Sequence, residues 1–146
     1  MLDLDLGLAV AHHLLIFGIF GVIAAELILV RPGIDSATVH RVARLDLWYG
    51  LLAAAILIVG FARANLAAKG WDYYAHNAFF WSKVGTFAVI GLLSIPPTVA
   101  YIRWRRGSVA PTDAQVGTVR LFLRAQIVLF ALLLVFAAAM ARGYGQ

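Results

Sequence analysis

Hydrophobic positions in this chain are massed into four long runs, Leu4–Val30, Leu45–Phe61, Phe79–Ile102 and Leu121–Ala141, with short polar stretches between them. A helix that crosses a bilayer needs roughly 20 mainly apolar residues. With no water to satisfy it in lipid, the backbone must pair with itself, so each run predicts a membrane-spanning helix. The short links predict an all-α, up-down-up-down four-helix bundle that forms one transmembrane domain over residues 1–146. Pro32 and Gly33 stop the first helix, and Gly107, Pro111 and Thr112-Asp113 mark turns before the fourth. Asn65 to His76 reads as a loop whose Trp71, Tyr73 and Tyr74 suit the headgroup level. Pro96 and Pro97 interrupt the third run, and neighbours are expected to satisfy the carbonyls they free, with Ser94 and Thr98 well placed to help. The first run lacks a basic start and a small-residue cleavage site, so it is expected to be a retained span.

Charge adds an orientation. Arg31, Arg41, Arg44, Arg103, Arg105, Arg106, Arg120 and Arg124 fall at one end of the predicted bundle, and Arg63, Lys69, Lys83 and Arg142 at the other. The positive-inside rule puts the first group in the cytoplasm and both termini outside, with Asp3 and Asp5 at the acidic start. The expected setting is the bacterial inner membrane, with the chain as a multi-pass protein surrounded by lipid. The net charge of +5 comes from these helix-end arginines, which argues against a nucleic-acid partner. At 63% hydrophobic and 13% charged residues, the chain has no room for a large soluble domain. Without cysteine it has no disulfides, thiolate metal sites or thioether-attached haem.

Ionisable residues inside apolar runs carry the functional information, because burying them in lipid is costly. At about 1.5 Å per residue, His12, His13, Lys83 and Met140 lie at a common depth, roughly 27–30 Å from the arginine-rich end. His76 is near them by chain position. On a helical wheel His12 falls within about 40° of Glu26 and His13 about 140° away, so an inward Glu26 brings His12 inward too. The His-His pair reads equally well as a ligand or as a polar helix start at the headgroups. Lys83 can snorkel to the interface, or hold an anionic substrate or propionate or move protons; its ammonium has no lone pair for a metal. Towards the arginine-rich end, Glu26, Asp46 and Arg124 have compatible depths. They predict a structural ion network in which Glu26 and Arg124 pair directly or through Asp46, with a proton path as the sharper alternative. Phosphate-loop, hydrolase-elbow and zinc-protease motifs do not occur.

The set His12-His13, Glu26, Asp46-Leu-Trp-Tyr-Gly50, Lys69-Gly70, His76-Asn77, Phe80-Trp81-Ser82-Lys83, Gly91-Leu-Leu-Ser94 with Pro97-Thr98, Arg103-Trp104 and Ala141-Arg142-Gly143 resembles an uncharacterised family of small bacterial four-span membrane proteins, a domain of unknown function. More distantly, His12 and Trp81-Ser-Lys83 resemble the HemJ-type protoporphyrinogen oxidases and the related CopD and four-helix cytochrome b group. That resemblance implies a haem b site on a first-helix histidine, His12 with His13 as the register alternative, and a third-helix lysine, Lys83, with His12 and Lys83 as the catalytic pair. His76 and Met140 are the candidate second ligands. The expected function is electron transfer, or oxidation of a porphyrinogen or quinol. The competing expectation is a cofactor-free transporter, channel or accessory subunit. A homo-oligomer is expected, since four helices without a repeat are few for a monomeric transporter.

Overall fold

A computed structural model describes residues 3–66 and 70–145. The chain is all-helical, with α1 (Leu4–Leu29), α2 (Ser36–Leu66), α3 (Gly70–Ala75), α4 (Ala78–Arg106) and α5 (Asp113–Ala141). α1, α2, α4 and α5 are long and apolar enough to span a membrane. At 26 to 31 residues each they run about 39–47 Å, beyond a hydrocarbon core of about 30 Å. That length explains the boundaries. The apolar runs mark the part in lipid, while the helices continue through the headgroups, so α2 starts at Ser36 rather than Leu45 and α5 at Asp113 rather than Leu121. The link read as a loop contains the short helix α3, while Lys69 lies outside the described residues.

The four long helices form a ring in which α1 packs on α2 and α5, and α4 packs on α2 and α5. The two hairpins, α1 with α2 and α4 with α5, make the most extensive contacts. Ile19, Ile23, Tyr49, Ile90, Leu123 and Phe130 are buried in the middle. Phe17, Ile58, Leu92 and Val128 are exposed on the outside, as suits a surface that meets lipid tails. Gly18 of α1 packs beside Leu52 of α2, where a Cβ would meet the Leu52 methyl at 3.6 Å, an ordinary contact distance.

Polar caps finish the helices. The backbone N–H of Val30 donates to the Glu26 carbonyl at 2.8 Å, and the Arg120 guanidinium on α5 donates to the Leu27 and Val30 carbonyls. These are carbonyls that a helix end leaves without intrahelical donors. Thr112 and Gln115 form a reciprocal capping box at the start of α5. At the other end of the molecule, buried Asn77 caps α4 through its side-chain oxygen, and its amide donates to the Tyr144 carbonyl at 3.2 Å. This folds the chain after α5 over the start of α4. Gly145, at φ +89°, fits this contact because a Cβ would come within 2.5 Å of the Phe79 ring.

α4 continues as one helix through Pro96 and Pro97. Pro97 has no N–H for the Leu93 carbonyl four residues back. Gln126 on α5 fills the gap, its amide donating to Leu93 O at 3.3 Å. This differs from the expectation for Ser94 and Thr98, whose hydroxyls go instead to Gly91 O and to the Asp46 carboxylate. The neighbouring helix supplies the donor, as expected, without the help of the two local hydroxyls.

Candidate functional site

A cavity of about 440 Å³ opens within the half of the bundle away from the arginine-rich end, walled by all four long helices and covered in part by α3. This volume falls in the range of small-molecule and cofactor sites. Its walls are mainly apolar and aromatic, and its polar lining comes from His12, His13, Lys83, Arg63, Asp5, Tyr73 and Tyr74. Phe80 organises the rim. It packs against Phe61, Trp71, Tyr74 and Trp81, with ring centroids 5.3–6.4 Å apart. The indole N–H of Trp81 donates to Ala75 O at 2.8 Å and so ties the end of α3 to α4.

The histidines differ in what their rings can do. His13, His40 and His76 each set Nδ1 against the backbone carbonyl four residues back, those of Ala9, Ser36 and Asp72, at 2.6–2.8 Å. His12 does not. Its ring is half-buried and its Nδ1 is buried without a hydrogen-bond partner among the described residues. Gly60 on α2 makes room for it: a Cβ there would lie 3.4 Å from His12 Cε1. His12 and Glu26 both face inward, whereas His13 is exposed, touching the cavity only from its edge of α1.

Lys83, half-buried on α4, lines the same cavity, and Lys83 and Arg63 are both within electrostatic reach of His12. Arg63 faces Asp5, with Nε 3.6 Å from Oδ1, the one ion pair among the described residues. Lys83 therefore has no carboxylate partner there. Met140 lines the cavity from α5. His76 does not line it; its ring is exposed and its Nδ1 is occupied at Asp72, so the placement inferred from chain position fails because α3 turns that ring outward.

The expected ion network is not formed as predicted. Arg124 is exposed and makes no salt bridge among the described residues, because it follows Leu123, whose side chain is the one that points into the core. A neighbour on a helix points about 100° away. Glu26, 2% exposed, instead accepts a hydrogen bond from Tyr101 Oη at 3.2 Å. Asp46 accepts one from Thr98 at 2.9 Å. The sequence reading missed Tyr101, Gln126, Arg63 and Asp5. A polar residue inside an apolar run is a usable signal for the first two, whereas the roles of Asp5 and Arg63 emerge only when the helix ends are brought together.

A family model described as "Predicted membrane protein (DUF2214)" matches residues 4–145. The chain belongs to this family. Searches of curated proteins and of solved structures give no match. The family description agrees with the four apolar helices of the fold.

Proposed function

We propose that the cavity binds a b-type haem with His12 as an axial ligand, and that the protein acts in electron transfer or in oxidation of a porphyrinogen or quinol at the inner membrane. The observation that carries this reading is the buried Nδ1 of His12, beside an apolar cavity of about 440 Å³ that is also lined by Lys83, neither of them with a hydrogen-bond or carboxylate partner among the described residues. His12 is singled out by its inward, half-buried ring at the cavity wall and its unpartnered Nδ1, rather than by ring chemistry, since a histidine bonded to its local carbonyl at Nδ1 still has Nε2 available. The unpaired cation favours a ligand with a carboxylate, as an uncompensated charge within a bundle is unfavourable.

The donor set fits the group. His12 would supply the imidazole and Met140 a thioether on the α5 wall, with Lys83 and Arg63 serving the propionate carboxylates and the aromatic rim contacting the macrocycle. A bound haem supplies one-electron redox chemistry at its iron. The chain itself excludes water with its apolar walls, and Lys83 is the residue placed to hold an anionic substrate or to move a proton. The distant resemblance of His12 and Lys83 to the HemJ-type pattern supports the same assignment by analogy.

The test is an absorption spectrum of the protein purified in mild detergent, before and after dithionite, with haemin added to any colourless preparation. We expect a Soret band with reduced bands of b type. His12→Ala should abolish or strongly alter it, and His13→Ala should leave it in place. A colourless protein that takes up no haemin would overturn the proposal, and substrate-dependent flux in proteoliposomes by such protein would move the assignment to transport.

A further inference from the structure

The arginine-rich half holds a second polar group that the haem reading does not use. Glu26 Oε2 accepts from Tyr101, but Oε1 is buried and has no hydrogen-bond partner among the described residues. Asp46 on α2 is within electrostatic reach of Glu26 and is itself half-buried. Buried Tyr49, one turn from Asp46, lies near Ser94 on α4. None of these residues lines the His12 cavity. Buried Ile19 and Ile23 on α1 and Ile90 on α4 come between the two sites along their helices.

Charge balance at this site is unmet. α2 contributes Asp46 and Tyr49, and α4 contributes Ser94, Thr98 and Tyr101. From α5, Arg120 is committed to the Leu27 and Val30 carbonyls, Gln126 is neutral and Arg124 is exposed. Two carboxylates within electrostatic reach of one another thus lie inside the bundle with hydroxyl donors and no salt-bridge partner among the described residues. Two like charges in a medium of low dielectric repel, and a proton shared between them relieves that repulsion. A proton needs no cavity, and on Glu26 Oε1 it would turn one of two buried acceptors without a partner among the described residues, the other being Gln126 Oε1, into a donor. We infer that Glu26 and Asp46 form an exchangeable proton-binding site, with the proton carried at Glu26 Oε1. Binding adds one proton from solution, and release returns it; no other bond changes.

The inference is independent of haem and is tested on the full chain by infrared spectroscopy in detergent or lipid nanodiscs. The expected result is a carbonyl-stretch band of a protonated carboxyl that shifts in deuterated water, bleaches reversibly as the pH is raised, and is absent from Glu26→Gln. Asp46→Asn should change the pH at which the band bleaches. Should Glu26→Gln not fold, Tyr101→Phe tests the same point, since loss of the hydroxyl on Oε2 must shift the band frequency. The proposal is overturned if no band responds to Glu26→Gln or Tyr101→Phe. It is equally overturned if Asp46→Asn leaves the bleaching pH unchanged, or if sodium in place of choline removes the band at fixed pH, which would make sodium the ligand.

Discussion

The two halves of this bundle handle buried polarity in opposite ways. Towards the arginine-rich end, polar side chains are tied to one another and to backbone across helix boundaries: Tyr101 to Glu26, Thr98 to Asp46, Arg120 to the end of α1, and Gln126 to the carbonyl that Pro97 leaves without a donor. The Tyr101 contact joins α1 to α4, helices that otherwise lie across the ring from each other. In the other half, His12 and Lys83 border an open volume and lack such partners among the described residues. Both halves keep buried polar atoms without partners there, Glu26 Oε1 and Gln126 Oε1 in one and His12 Nδ1 in the other, but only the half with the cavity leaves room for a bound ligand to complete them.

The largest expected effect comes from emptying the closed half. Tyr101→Ala removes an aromatic side chain that is 1% exposed and leaves Glu26 without its donor. It should cost about 3–5 kcal/mol. Met140→Ala, on the cavity wall, should cost about 1 kcal/mol. Thermal melts in detergent compare the two, and equal losses would break the contrast between the halves.

The Gln126 to Leu93 bond sharpens the comparison by a cycle. Gln126→Leu leaves a carbonyl without a donor and should destabilise by about 1–3 kcal/mol. In a Pro97→Ala background the helix regains an N–H for Leu93, so the same change should cost much less. Additive losses in the melts would show that the two residues do not share this carbonyl.

A third comparison separates two arginines one turn apart on α5. Arg120→Leu should cost about 1.5–3 kcal/mol because a charged donor leaves two carbonyls. Arg124→Leu should change stability by no more than about 0.5 kcal/mol, as expected for an exposed site. A larger loss at Arg124 would restore the ion network expected from depth alone.

The smallest effect lies outside the membrane, at Asp35 in the link before α2. Thr38 holds its carboxyl below the usual range, with the backbone N–H 2.7 Å from Oδ1. A depressed folded-state pKa gives stability that is present above the unfolded value and lost as pH falls through the folded one. Asp35→Ala should therefore lower the melting temperature slightly at neutral pH and have no effect in acid, once the native carboxyl is protonated. A loss that persists in acid would mean that the carboxylate charge is not the source.

Much of the fold was legible from the apolar runs, since lipid leaves a backbone little choice but helix, and short links force neighbours to run antiparallel. Depth along the helices groups His12, Lys83 and Met140, and the cavity has all three in its lining. Depth misplaces His76, where a short helix intervenes, and leaves the direction of Arg124 open. Rise per residue fixes height along a helix, but the rotation of one helix against another depends on packing from every neighbour.

The apolar runs suffice for a membrane-spanning helical bundle, for the height of each polar residue along it, and for the rule that an inward Glu26 brings His12 inward with it. Contacts between helices are what set Tyr101 rather than Arg124 against Glu26, Gln126 on Pro97's helix, Asp5 beside Arg63, and a cavity beside His12. Helix formation in lipid is enforced locally by backbone hydrogen bonding, whereas partnerships between side chains depend on helix rotation and on where packing leaves space.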